Sequence, residues 1–300
     1  MRIAVIAVPY NHDVAKWGYA RGPDAFLDHG LVEALRARGH TVLDPVYAHL
    51  RRDQRTRDTV TNLGRLDHMV SDLVADALAD KDTVVLALEG NCTHAPGVAG
   101  GVARARGGVG MVWFDAHGDL HTLRTSETGF CGGMPYAVVL GWDFDDWRRA
   151  AGLEAPISPT AAALFGTSDL DRAESAAIAR AGLAHLDARD LTVDHVRTAL
   201  AGRVQAAPAW YLHIDMDVAG PEAPGVITPA PYWPSRDDLV AAVAEAARTV
   251  PLAAFALSSI NPIGDPEARA PRLGIDLVLA IVEAIGSRRA RVPSGGDPDP

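Results

Sequence analysis

Two short stretches place acidic side chains at every second position directly behind an apolar run. In "MVWFDAHGDLHT" the run Met111–Phe114 leads into Asp115, His117 and Asp119. In "YLHIDMDV" the residues Asp215 and Asp217 follow an apolar run in the same way, with His213 one step deeper. Side chains two apart share a face when the backbone is extended, so each stretch aims its ligand-type groups at one point. A third run, "LALEGNCTH", ends just before Cys92. Four carboxylates gathered where strands leave a core repel one another and lose solvation unless cations join them, and two divalent ions balance four such charges. Oxygen donors with one imidazole suit Mn²⁺, and a thiolate keeps Zn²⁺ or Fe²⁺ open. Either motif alone also fits solvated loop charges; both together, each behind a buried run, point to a metal centre.

The elements that must hold these positions alternate along the chain. "RIAVIAVP" reads as a strand, and "GPDAFLDHGLVEALRARGH" as a helix stopped at Gly39. "TVLDPV" is a candidate second strand. "DTVTNLGRLDHMVSDLVADALADKD" is a long amphipathic helix with Leu63, Leu66, Met69, Val70, Leu73, Val74, Ala77 and Leu78 on one face. "TVVLAL", "GVGMVWF", "AALFGT", "LAHLD", "AWYLHID" and "LAAFALS" are further strands, separated by helical segments such as "APGVAGGVARARG", "RAESAAIARAG", "TVDHVRTALAGR" and "RDDLVAAVAEAARTV". Continuous apolar strands with helices between them imply a parallel sheet covered on both faces. The expected fold class is α/β: a single three-layer α/β/α domain over residues 1–290. The polar, turn-rich "RVPSGGDPDP" forms a flexible tail at 291–300. In such sheets the carboxyl ends of the strands form the ligand crevice, which is where the three motifs fall.

Composition excludes several functions. The chain has 300 residues, 48% hydrophobic content and a formal net charge of −10, so there is material for a large core and no basic excess to displace counterions from nucleic acid. Its two cysteines, Cys92 and Cys131, make no disulfide framework. The opening "MRIAVIAVPY" ends its apolar run at Pro9, too early for a secretion signal, and no run approaches the roughly 18 apolar residues of a membrane span. A soluble, cytoplasmic protein that binds neither membrane nor nucleic acid is expected. A Rossmann-type nucleotide site is excluded because "VPYNHD", and no glycine-rich fingerprint, follows the first strand.

The combination "WFDAHGD" with "HIDMDVAGPEAPGVITP" resembles the two signature motifs of the arginase/agmatinase (ureohydrolase) family. "GYARGPDAFLDHGLVEAL" is similar to that family's N-terminal segment and "GTSDLDRAE" to its middle motif, so the likeness spans nearly the whole chain. The resemblance implies a parallel eight-stranded sheet and two Mn²⁺ bridged by a hydroxide that attacks a guanidinium carbon and cleaves a C–N bond, a metal-activated nucleophile. By position it makes Asp115 and Asp215 the bridging carboxylates. His117 and Asp217 complete one metal site, and Asp119 the other. His117 and Asp119 are the residues expected in catalysis, with Asp119 as hydrogen-bond partner of the hydroxide and proton carrier. Asp171 matches a position that meets the substrate's α-amino group, and the loop carrying His121, Arg124, Ser126 and Thr128 is the one that holds its carboxylate. A homo-oligomer, trimer or hexamer, acting on a small molecule is implied as well.

Three departures stand out. Cys92 occupies the place of the family's ligand histidine, as in a subgroup resembling the Nω-hydroxy-L-arginine hydrolase, and is expected to ligate metal as a thiolate, with His94 two residues on as an alternative. Gly132 in "ETGFCGGMP" replaces the proton-shuttle histidine. Ser259 in "LSSINP" stands where a glutamate pairs with the guanidinium, so the substrate is either less basic or held elsewhere, for example by Glu89 or Glu127. His213 is expected to pack behind the metals, and Trp113 and Trp210 to lie in the core. The reading is therefore a dinuclear hydrolase of a guanidino or N-hydroxyguanidino compound, arginine-like or hydroxyarginine-like, that releases a urea-type product. The alternatives are an amidine, amide or formimino hydrolase on the same metals, or a non-catalytic metal- or metabolite-binding member.

Overall fold

In the computed structural model, residues 1–225 and 228–291 are described. Of the expected tail, residues 292–300 lie outside them. Nine strands form one parallel sheet: β1 (Arg2–Val8), β2 (Thr41–Val42), β3 (Val46–Tyr47), β4 (Thr83–Glu89), β5 (Gly110–Phe114), β6 (Ala162–Thr167), β7 (Ala184–Asp187), β8 (Trp210–Asp215) and β9 (Leu252–Ser258). Eight of them run edge to edge in the order β2-β1-β4-β9-β8-β5-β6-β7, and β3 also pairs with β1. The ninth arises inside "TVLDPV". Pro45 has no N–H to give the ladder, and the edge is split into two-residue strands that meet β1 at Arg2–Ile3 and again at Ile6–Ala7.

Helices cover both faces. On one lie α1 (Gly22–Asp28) and α2 (Leu31–Ala37), where a single helix was expected. Gly30 adopts φ 86°, a left-handed conformation that ends the first helix and redirects the chain. On the opposite face lie α3 (Thr59–Ala77) and α4 (Ala95–Arg106). The Asp58 side chain accepts from Thr61 N–H at the start of α3, a cap worth about 0.5–2 kcal/mol. Leu66, Val70 and Val74 then repeat on the face of α3 turned to the sheet and are fully buried. The glycines of "APGVAGGVARARG" let the two helices touch: a Cβ on Gly97 would sit 2.6 Å from the Asp67 carbonyl oxygen, and one on Gly101 2.5 Å from Val74 Cβ. Further along the chain come α5 (Pro135–Val139), α6 (Asp145–Ala150), α7 (Arg172–Ala181), α8 (Val193–Ala201), α9 (Arg236–Thr249) and α10 (Arg269–Arg291). Of these, α8, α9 and α10 join the face of α1 and α2, with Val196, Leu239 and Leu277 buried there. Among the described residues no helix is long and apolar enough to cross a membrane.

The strand order decides where chemistry can happen. After β4 the chain does not lay β5 beside it; the gap is filled later by β8 and β9. Such a switch opens a crevice at the carboxyl ends of the strands. Register brings Ile214 beside Phe114 and Asp215 beside Ser258, so the residues leaving β5, β8 and β9 emerge in one row.

Candidate metal centre

The acidic motifs converge, though not by strand alternation. β5 stops at Phe114, and the next segment turns on its own hydrogen bonds. Asp115 Oδ1 accepts from His117 N–H at 2.7 Å, while Oδ2 accepts from the Trp113 indole N–H at 2.9 Å. Asp119 reaches the cluster from a left-handed backbone, φ 51°. Likewise β8 ends at Asp215, whose Oδ1 accepts from Asp217 N–H at 2.9 Å as the chain enters a 3₁₀ turn. These are local turns closed by aspartate side chains, which satisfy backbone donors with one oxygen while the other faces side-chain partners in the cluster. Asp217 ties the loops together by accepting from Ala116 N–H at 3.2 Å and facing His117 Nδ1 at 2.9 Å.

Two triads result, each with its ligand atoms within 4.8 Å of one another: Cys92, Asp115 and Asp119, then Asp115, His117 and Asp217. They share Asp115. Asp215 adjoins both, since the Cys92 thiol donates to its Oδ2 at 2.6 Å and its Oδ1 holds Asp217. Six predicted ligands from three strand ends therefore meet in one place.

The electrostatics of this cluster call for positive charge. Burial, then the neighbouring charges of Asp115 and Asp215, drives Asp119 well above the carboxylate range, and Asp215 rises for the same kind of reason. Burial and then Asp115 lift Asp217 to about 6. Burial opposes the charging of His117, but hydrogen bonds to Asp115 and Asp217 outweigh it and push its pKa to about 12. Burial and the charges of Asp215, Asp119 and Asp115 lift the Cys92 thiol well above its usual value. Protons and an imidazolium thus stand where positive charge is demanded. Divalent cations meet that demand directly and would reverse each of these shifts. The donor set fits two such ions.

A family model described as "Arginase family" matches residues 1–283. The chain belongs to the arginase family. It is 29% identical over 298 residues to the arginase of Bacillus subtilis (strain 168), covering 93% of this chain and 97% of the relative. It is also 29% identical over 213 residues to the N(omega)-hydroxy-L-arginine amidinohydrolase of Streptomyces lavendulae, covering 69% and 72%. The crystal structure of Bacillus subtilis arginase superposes with a TM-score of 0.84 at 25% identity, over 94% of this chain and 98% of that one. This arginase-family ureohydrolase is thus a hydrolase of C–N bonds outside peptides, of a family that typically carries a dinuclear metal centre.

Around the cluster lies a cavity of about 560 Å³. It takes in the six expected ligands together with Asp171 and Ser259. Asp171 caps α7 by accepting from Glu174 N–H at 2.8 Å and places its second oxygen 3.6 Å from His121 Nε2. Ser259, buried and at φ 65°, sets its hydroxyl 3.5 Å from Cys92 Sγ. Arg124 and Thr128 are exposed in the loop and do not line the cavity; Ser126 does not line it either. The Ser126 and Thr128 hydroxyls accept from Gly129 and Phe130 N–H and close the loop on itself. Glu127 is exposed away from the cavity. Glu89 is fully buried below it, its acid pushed well up by burial, and it receives the Tyr211 hydroxyl at 3.4 Å. His94 is not a ligand, because Nδ1 faces Asp67 at 3.0 Å and Nε2 faces the Tyr10 carbonyl at 3.2 Å.

Other participants were missed in the sequence. Glu174 was hidden in the α7 capping box, where it accepts from both Asp171 and Leu120 N–H; its acid-x-x-Glu spacing was a readable signal. His12 and Trp17 line the cavity without any motif of their own, and Tyr19 and Phe130 line it from stretches in which they were not singled out. His213 packs behind the site as expected. Burial holds it near a pKa of about 3, hence neutral, with Tyr211 at 2.9 Å and Ser258 Oγ at 3.3 Å. Ser258 in turn lies 3.2 Å from Cys92 Sγ.

Proposed function

We propose that the protein is a dinuclear-metal hydrolase that cleaves a C–N bond of a guanidino or N-hydroxyguanidino compound and releases a urea-type product. The observation that supports this most is the pair of triads sharing Asp115 at the floor of the cavity. Cys92, Asp115, His117, Asp119, Asp215 and Asp217 would hold two divalent ions, Mn²⁺ by the majority of oxygen donors, with the thiolate favouring softer metals. When bound, such ions supply Lewis acidity that brings a water's pKa towards neutrality.

The chain's own residues do the rest. Asp119, held by its left-handed turn beside Asp115, is the carboxylate suited to take a proton and pass it to the departing nitrogen. Trp113 fixes the orientation of Asp115 by donating to its Oδ2. Ser259 offers a neutral hydroxyl at the cavity floor where a carboxylate would neutralise a guanidinium, which also supports an amidine or formimino substrate on the same metals.

The test is metal per chain after loading with Mn²⁺, beside Cys92→Ala, followed by a panel of guanidines, N-hydroxyguanidines and amidines. Near two ions per chain, falling towards one in the variant, with urea release from the panel, is expected. One ion or none in the parent protein would overturn the dinuclear reading. Two ions without turnover of any compound would leave a binding role in its place.

A further inference from the structure

The outer part of the cavity is aromatic. Trp17 and Phe130, two of its lining residues, are 64% and 55% exposed. The Phe130 ring stands edge-on against the His12 imidazole, with centroids 5.1 Å apart and an interplanar angle of 86°. This pair fills the space above Gly132. A Cβ on Gly132 would lie 2.5 Å from Phe130 Cε1 and 3.0 Å from His12 Cε1. The glycine and the phenyl ring are therefore one device: a histidine at position 132 and the ring in this pose exclude each other.

Charge around the rim points the same way. None of the described residues lining the cavity is a lysine or an arginine, whereas Asp169, Asp171 and Glu174 line one side. Burial holds His12 near a pKa of about 4, so it brings no positive charge at pH 7. His121 already faces Asp171. A substrate carboxylate entering here finds no lysine or arginine, and Arg124, Ser126 and Thr128 stand outside the lining, while the acidic side accepts a cationic end. Large aromatics left open at the mouth of an otherwise polar site are what an apolar ligand body covers.

We infer that Phe130 and Trp17 clamp the part of the substrate distal to the reacting carbon. The site thus takes guanidino compounds with an aromatic or aliphatic body and no carboxylate in preference to α-amino acids such as arginine. The inference rests on the hydrolase reading above and names its substrate class.

The test uses the full-length, Mn²⁺-loaded protein with phenethylguanidine, methylguanidine and arginine. Urea release and calorimetric binding are both measured, in the parent protein, Phe130→Ala and Trp17→Ala. Phenethylguanidine is expected to show the lowest KM. Its KM relative to methylguanidine should rise about tenfold in each variant, as loss of one aromatic contact and its apolar cover predicts. The double variant Phe130→Ala/Gly132→His should fold and bind metal like the parent, while Gly132→His alone displaces the ring and raises the same KM ratio. Preference for arginine with urea release, or an unchanged ratio in both single variants, would overturn the clamp and leave the hydrolase standing. Binding of phenethylguanidine that is lost in Phe130→Ala, without turnover of any guanidine, would uphold the clamp and overturn the hydrolase.

Discussion

Trp113→Phe separates the metal centre from the core that carries it. Trp113 is fully buried in β5, stacked on Tyr136 with centroids 4.8 Å apart and packed at a tilt against His213 at 4.0 Å. A phenyl ring keeps most of that packing. What it loses is the indole N–H donated to Asp115 Oδ2 at 2.9 Å. A hydrogen bond to a charged group contributes about 1.5–3 kcal/mol, and Asp115 belongs to both triads. The loss should therefore appear as a fall of about 10–150-fold in metal affinity, the range that outer partners of ligands usually govern. A chelator-competition titration with Mn²⁺ measures it. Trp210→Phe is the control: Trp210 is equally buried, in the neighbouring strand β8, but its indole N–H goes to the Val204 carbonyl at 3.2 Å. Both variants should melt lower than the parent, and only Trp113→Phe should lose metal. Equal metal affinity in the two variants would refute the assignment of Asp115 as a shared ligand held by the indole.

Two further outcomes follow from the same cluster. Asn tolerates the left-handed backbone that Asp119 adopts at φ 51°, so Asp119→Asn should fold normally yet lose about 10²–10⁴-fold in turnover at saturating metal, a rate assay of urea release being the check. In the metal-free protein the stability that Asp217 and His117 contribute should fall as pH rises from 5 to 8. Between 3.8 and about 6 the folded chain holds a proton on Asp217 that the unfolded chain has lost, and between 6.5 and about 12 the same is true of His117; in both windows stability falls with rising pH, by about 3 kcal/mol in full for Asp217. Mn²⁺ needs the deprotonated ligands, so its stabilising effect should grow over the same range. Thermal melts with EDTA and with Mn²⁺, beside Asp217→Asn, read both trends, and a metal-free melting point that does not fall relative to Asp217→Asn between pH 5 and 6 would contradict them.

What was legible in the sequence, and what was not, divides along a physical line. Runs such as "TVVLAL" and "LAAFALS" announce strands because burial on both faces demands continuous apolarity, and α3 announces itself by a stripe of period 3.6. The cluster of Asp115, His117, Asp119, Asp215 and Asp217 was legible because carboxylates are costly behind a buried run without a reason for them. Their convergence was expected from strand alternation, yet both strands stop at or before the first aspartate and the aspartates themselves close the turns. Sequence period says which way a side chain points while the backbone stays extended, and nothing once a side chain starts to bend the backbone.

The same limit explains the outer shell. Trp113 in an apolar run reads as core, and it is core; that its one polar atom meets a carboxylate depends on a rotamer, which hydrophobicity does not encode. Arg124, Ser126 and Thr128 were expected to hold a substrate carboxylate because the family resemblance places such contacts in this loop; a loop has no period to fix its inside, and here the Ser126 and Thr128 hydroxyls accept from Gly129 and Phe130 N–H. Beside His121, the residue from that loop that lines the cavity is Phe130, an apolar ring made possible by the missing side chain at Gly132. A departure that reads as a loss in the sequence, a glycine for a histidine, is in three dimensions an exchange of one occupant for another. Substrate choice in this protein is then a property of the ring that took the space, and Phe130 is the position at which to look for it.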